Sequence, residues 1–248
     1  MSFNIIKIGT LCTILTLLIG EATPAVSSEF ELKGYDATPS GLIPVYPTQL
    51  LCPQLSSLYG SWEDVDGSNR EERHVGVDGG CLGDEILAPA DGTLIAIWKR
   101  NRELGGDWSI LIAHSPDDLN IKDEGSVYYS EFDHLRFEQL SHLNLNQRIS
   151  RGQRIAFVDR PGGNRAYLAE VHWEVYEVPE ADKNAIIWKI EGKGDVVWWN
   201  YSARLIDPLY FMPIEKTNDG HYLAHITPYS RNENYSSFVG FTYILGCR

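Results

Sequence analysis

Glu170-Val171-His172-Trp173-Glu174 alternates polar and apolar side chains, the period-2 pattern of a strand with one wet and one buried face. On such a strand Glu170, His172 and Glu174 point into one site. Far upstream, Arg73-His74-Val75-Gly76-Val77-Asp78-Gly79-Gly80 offers a second imidazole and a carboxylate. In a fully extended strand, residues four apart share a face but lie about 13 Å apart. His74 and Asp78 can hold one ion only if the chain bends between them, and Gly76 permits that. Neutral imidazole and carboxylate suit zinc at about 2.0–2.2 Å. With His74, Asp78 and His172 as ligands, the fourth tetrahedral position stays open for water, as hydrolysis of an amide requires.

The elements that must position these residues read mostly as strands. Thr93–Trp98, Ser109–His114, Ser126–His134, Ile155–Val158 and Glu170–Tyr176 are short β candidates between Gly, Pro and Asp turns, with Asp91-Gly92 as a hairpin signal. Ile186–Trp188 and Val196–Trp199 are further β candidates. Leu50–Leu58 reads as a short helix or turn, and Glu63–Arg73 as a charged loop delivering the chain to His74. Asp207-Pro208 closes the unit. The aromatic stretch Phe238–Leu245 is expected to add a strand or pack on the outside, with Cys247 available to tie it down. Few long helical periods occur, so the expected class is mainly β, built on antiparallel strands.

The amino-terminal segment reads as a cleaved export signal, with a retained amino-terminal anchor as the alternative: Lys7, an apolar run Leu11–Ile19, then small residues at Ala22, Ala25 and Ser27. Such a run is too short for a mature membrane span. The net charge is −13, and residues 1–27 carry one Lys7 and one Glu21, so their removal leaves −13. This acidity argues against nucleic acid and against anionic lipid as partners, since both need Lys and Arg. Cys52, Cys81 and Cys247 remain after cleavage and allow at most one internal bridge, whose pairing the sequence leaves open.

The order of motifs carries more than any one of them. Tyr59-Gly60-Ser61, His74-Val75-Gly76-Val77-Asp78, Ala88-Pro89-Ala90-Asp91-Gly92-Thr93-Leu94, Phe132-Asp133-His134-Leu135, Arg151–Ala156, Val171-His172-Trp173-Glu174-Val175 and Asp207-Pro208 follow one another in a way that resembles the lysostaphin/LytM-type zinc endopeptidases. These are peptidoglycan hydrolases that cut peptide cross-links. The resemblance implies a compact antiparallel β core with a substrate groove flanked by loops. It also implies a Zn2+ cofactor on His74, Asp78 and His172, with peptidoglycan or its stem peptides as partner, while the amino-terminal signal points to a secreted or periplasmic location. The expected organisation is a signal peptide over 1–27, an extended segment over 28–56, the peptidase-like domain over 57–213 and a carboxy-terminal extension over 214–248 packing on it.

Two positions near the expected metal are functional in the family. His134 matches a histidine that acts beside the reacting water. Glu170 stands where the family has the first histidine of a His-x-His motif. Three readings follow. Glu170 replaces that histidine as general base, with His134 stabilising charge or moving the proton. Alternatively the domain is catalytically degenerate and binds peptidoglycan or regulates another cell-wall hydrolase through an envelope partner. Or Glu170 coordinates the metal directly. Elsewhere, His114 reads as a structural residue, and His142, His221 and His225 as solvated. Glu174 is a candidate partner of His172, Asn164 a candidate groove residue, and Trp188, Trp198 and Trp199 either a sugar-stacking platform or core.

Overall fold

A computed structural model describes residues 37–101, 107–122, 125–160, 168–191 and 194–248. The signal-peptide expectation for 1–27 and the groove expectation for Asn164 lie outside the described residues. The strands in chain order are β1 (Leu42–Val45), β2 (Leu55–Ser57), β3 (Val77–Gly79), β4 (Glu85–Leu87), β5 (Gly92–Asn101), β6 (Asp107–His114), β7 (Ser126–Leu135), β8 (Arg148–Ile149), β9 (Arg154–Phe157), β10 (Val171–Pro179), β11 (Ile187–Glu191), β12 (Asp195–Trp199), β13 (Arg204–Ile206), β14 (Ile214–Lys216) and β15 (Tyr222–His225). A four-residue α-helix, α1, covers Phe137–Leu140. No described helix is long and apolar enough to cross a membrane.

The protein is mainly β and its large sheet is antiparallel throughout, in the order β11-β12-β5-β6-β7-β10-β3-β2, with β13 beside β10 and β8 beside β5. Alternation along the central strands decides which face is which. Val171, Trp173 and Val175 of β10, Phe132 of β7, Ile110 and Ile112 of β6 and Leu94 of β5 are buried in the main core. The intervening residues of β10 (His172, Glu174, Tyr176, Val178) turn to the opposite face. In register there, His172 opposes Asp133, Glu174 opposes Glu131 and Tyr176 opposes Tyr129. One face of the sheet is therefore core, and the other carries the chemistry.

Two expectations change. Leu50–Leu58 is neither the expected short helix nor a turn: it runs irregularly into β2, which pairs with β3 and places Ser57 beside Asp78. The aromatic tail is neither a strand nor an outer layer. Phe241, Tyr243, Ile244 and Leu245 are fully buried in the main core. They are held irregularly along β4, with Leu87 N–H donating to Ile244 O (2.7 Å) and Gly246 N–H to Glu85 O (3.0 Å). The reason is that, among the described residues, β4 has β9 as its one strand partner, and its other edge needs covering. A Cys52–Cys247 disulfide fastens the tail to the amino-terminal segment, leaving Cys81 exposed and free. The segment before β2 also joins the region after 213: β1 runs parallel to β15 in a three-stranded sheet with β14.

One excursion crosses the chemistry-bearing face. After Pro179 the chain leaves β10, forms the β11–β12 hairpin, and returns as β13, pairing again with β10 at Val175–Glu177. Between these points β12 reaches the far side of the sheet and pairs with β5 at Asp195 and Asn101. This strap is held to the face by Tyr129 Oη donating to Lys183 O (2.8 Å), Trp98 Nε1 to Val196 O (2.8 Å) and Trp198 Nε1 to Glu131 Oε2 (2.6 Å). Trp198 packs edge-on to Tyr176, with ring centroids 4.8 Å apart, and closes a second apolar cluster with Tyr129, Leu111 and Val178.

Candidate metal centre

His74, Asp78 and His172 converge. His74 Nε2 lies 3.0 Å from His172 Nδ1 and 3.1 Å from Asp78 Oδ1, and His172 Nδ1 lies 2.7 Å from that same oxygen. All three side chains are buried. The bend the sequence demands is present: β3 begins only at Val77, so His74 sits outside the strand and folds back toward Asp78. Gly76 makes this possible by contact rather than by a special torsion. A Cβ there would lie 2.4 Å from Trp173 O, so only glycine lets this segment run so close to β10. Register places Asp78 directly beside His172.

Hydrogen bonding decides which ring nitrogens face inward. His74 Nδ1 lies 3.1 Å from Leu58 O, which can only accept, so Nδ1 carries the hydrogen and Nε2 presents a lone pair. His172 Nε2 lies 2.8 Å from Glu174 Oε1, so it is the donor and Nδ1 presents the second lone pair. Two imidazole lone pairs and a carboxylate oxygen then confront one another in a buried site. That arrangement needs a positive charge among the three atoms. Ligands on a tetrahedral zinc with bonds of about 2.0–2.2 Å sit roughly 3.3–3.6 Å apart, so the triangle takes such an ion once its two edges at His74 open by a few tenths of an ångström and the 2.7 Å His172–Asp78 edge by about 0.6–0.9 Å. Without one, a proton takes its place. Burial pulls the His172 imidazole down, but Asp78 and Glu174 outweigh it and push it up to about 10. Burial raises Asp78, yet His172 and His74 hold it well below the usual carboxylate range. Burial lowers His74 despite Asp78.

The other two expected residues lie close by. Glu170 precedes β10, is half-buried, and bridges to Asp159 across the chain. Burial and the negative charge of Asp78 raise its carboxyl to about 7, opposed by His134 and His172. A cation at the donor triangle would draw it back down. His134 comes to the site through a β-bulge. Simple alternation would send it to the core face, opposite to Asp133. The register between β6 and β7 shifts beyond Ile110–Phe132, and His134 takes a left-handed φ of 65°. Its ring centroid lies 6.1 Å from that of His172. Asp107 lies 3.4 Å from its Nδ1, and although burial works the other way, this carboxylate raises the His134 imidazole.

Several residues around the triangle carry no local signal in the sequence. Arg70, from the charged loop, donates from Nη2 to Asp78 Oδ2 at 2.7 Å and pairs with Asp64 at 2.9 Å. It occupies the second carboxylate oxygen and leaves Oδ1 for the triangle. Arg100 pairs with Asp133, which also accepts from Ser109 Oγ. Burial lowers the Arg100 guanidinium, but Asp133, Glu131 and Asp107 raise it further. For this acidic band a signal does exist: Glu131 and Asp133 in β7 and Glu174 in β10 sit at alternate positions of otherwise largely apolar strands. The remaining histidines behave as expected. His114 is fully buried between Asp91 O (2.6 Å) and Ser130 Oγ (3.0 Å). His221 and His225 sit at the surface beside Asp219 and Glu215, and His142 reaches Arg154 O at 3.4 Å. Trp198 is core, whereas Trp188 is 46% exposed.

No family model and no curated protein matches the chain. Among solved structures it is similar to LytU, at 22% identity over 54% of this chain and 78% of that one, with a TM-score of 0.37. It is similar to a zinc-containing peptidase from Vibrio cholerae, at 20% identity over 52% of this chain and 34% of that one, with a TM-score of 0.35. It is also similar to lysostaphin, at 12% identity over 78% of this chain and 94% of that one, with a TM-score of 0.35.

Proposed function

We propose that the protein is an exported zinc metalloendopeptidase that hydrolyses peptide bonds in peptidoglycan cross-links. The observation that carries this reading is the donor triangle: two tautomer-fixed imidazoles and one carboxylate oxygen, all within 3.1 Å of one another, on the sheet face opposite the core. The motif order in the sequence supports the substrate class. The Cys52–Cys247 disulfide fits an oxidising, extracytoplasmic compartment.

In this mechanism His74, Asp78 and His172 would hold zinc. When bound, zinc supplies a Lewis acid that polarises the scissile carbonyl and acidifies water. Glu170 accepts a proton from the attacking water and later delivers it to the leaving amine. His134, whose imidazolium form Asp107 favours, faces the negative charge that develops on the carbonyl oxygen. Arg70 restrains Asp78 through its outer oxygen.

Digestion of purified peptidoglycan by the zinc-loaded protein tests this. New amino termini are expected, and are expected to vanish in His172→Ala and to fall about a hundredfold or more in Glu170→Gln, in line with the loss of a general base. Glu170 itself motivates a second reading, a degenerate domain that binds peptidoglycan or regulates another hydrolase. Sedimentation with peptidoglycan, without any new amino termini, would favour that reading over catalysis.

A further inference from the structure

The strap and the metal triangle are joined through side chains. His172 Nε2 donates to Glu174 Oε1 (2.8 Å), and the other oxygen of Glu174 accepts from Tyr176 Oη. Tyr176 lies two residues further along the same face of β10, and its ring is covered by Trp198 of the strap. Trp198 is in turn fixed by its bond to Glu131, the residue opposite Glu174 in the β7–β10 register. Glu174, Tyr176, Glu131 and Trp198 are all buried.

We propose that Tyr176 and Trp198 are positioning residues for the metal: they lock Glu174 so that His172 keeps its Nδ1 lone pair aimed at His74 and Asp78. The proposal rests on reading His172 as a metal ligand. A carboxylate that holds a ligating imidazole contributes to affinity because it fixes tautomer and ring orientation before the ion arrives. The Tyr176 hydroxyl holds the second oxygen of Glu174, and the Trp198 ring keeps Tyr176 in the rotamer that reaches it. Coupling of this kind is reciprocal, so zinc binding must also steady the strap. The neighbouring Tyr129 provides an internal control. It is also a buried tyrosine beneath the strap and touches Trp198, but its hydroxyl donates to Lys183 O rather than to Glu174.

The test is zinc affinity of the mature chain, measured by competition with a chromogenic chelator, for wild type, Tyr176→Phe, Trp198→Phe and Tyr129→Phe. Tyr176→Phe is expected to bind zinc about tenfold more weakly, at the lower end for loss of an outer-sphere partner. Trp198→Phe, which keeps an aromatic ring but loses the bond to Glu131, is expected to fall between it and wild type. Tyr129→Phe is expected to stay within about twofold of wild type. The cobalt(II) visible spectrum should shift in Tyr176→Phe but not in Tyr129→Phe, and zinc should slow amide exchange over 195–200 in wild type but less in Tyr176→Phe. Wild-type affinity and spectrum in Tyr176→Phe, or equal losses in Tyr129→Phe and Tyr176→Phe, overturn the inference while the metal reading stands. A wild-type chain that takes up no zinc overturns both.

Discussion

Removing the Cys52–Cys247 bridge tests how the tail belongs to the fold. The two cysteines are 195 residues apart in sequence. On the loop-entropy model, closing a loop of that size in the unfolded chain is worth about 5 kcal/mol, near the top of the usual range. Residual order in the unfolded chain lowers this, so Cys52→Ser/Cys247→Ser is expected to lose about 3–5 kcal/mol. The tail should nevertheless stay docked. Phe241, Tyr243, Ile244 and Leu245 remain buried, and Leu51 and Arg248 exchange two backbone hydrogen bonds, of 2.8 and 3.0 Å, beside the bridge. Urea denaturation of the oxidised protein and the double variant, followed by tryptophan fluorescence and far-ultraviolet circular dichroism, gives both quantities. The expected result is a lower midpoint with one cooperative transition in both probes. A loss under about 1 kcal/mol would refute the entropic argument. A separate early transition that exposes the tail alone would refute its placement in the core.

Three further outcomes are expected. Zinc at about one hundred times its dissociation constant should stabilise the wild-type chain by about 2.7 kcal/mol, or roughly 5–10 °C in melting temperature, and His172→Ala should abolish the shift; an equal shift in that variant would place the ion elsewhere. His114 is held down to about 4 by burial, with Arg151 and Arg148 adding to that effect and the Asp91 carbonyl and Asp118 opposing it. Because the folded value lies below the unfolded one of about 6.5, stability is complete above about pH 6.5 and should fall by about 3 kcal/mol as pH drops toward 4; an unaltered slope in His114→Gln over that window would refute the assignment. Gly76→Ala should cost about 1–3 kcal/mol and weaken zinc binding, since the new Cβ must push the His74 segment away from Trp173 O; wild-type stability in chemical denaturation would show that the close approach does not constrain the site.

The legible part of the site is the part governed by local rules. The alternation at Glu170–Glu174 foretells a shared face for His172 and Glu174, and the two are hydrogen-bonded. Gly76 foretells the bend at His74. What escapes such rules is set by pairings between distant strands. Simple alternation in Phe132-Asp133-His134-Leu135 places His134 on the core face; only the register shift against β6 turns it toward His172. Arg70 reads as one of many charges in a loop until β2 and β3 bring Asp78 within its reach. The tail reads as an outer strand because its aromatic content is strand-like, yet the open edge of β4 draws it into the core without regular pairing.

Electrostatics connects these pieces. Glu131, Asp133 and Glu174 form a buried acidic band one or two residues from the donor triangle, and burying such charges without partners would be prohibitive. Each has a partner that also holds geometry: Trp198 Nε1 on Glu131, Arg100 on Asp133, and Tyr176 with His172 on Glu174. The band therefore serves two ends at once. Its negative potential favours a cation at the neighbouring triangle, while Arg100 supplies the compensating charge on Asp133. Replacing Arg100 by Met should leave Asp133 uncompensated and destabilise the fold by roughly 3–5 kcal/mol, the cost of breaking a buried pair from one side. It should also tighten cation binding, because a fixed positive charge in the band is lost. If Arg100→Met weakened zinc binding in a chain that still folded, the band would be acting through shape alone, and its charge would have no part in holding the metal.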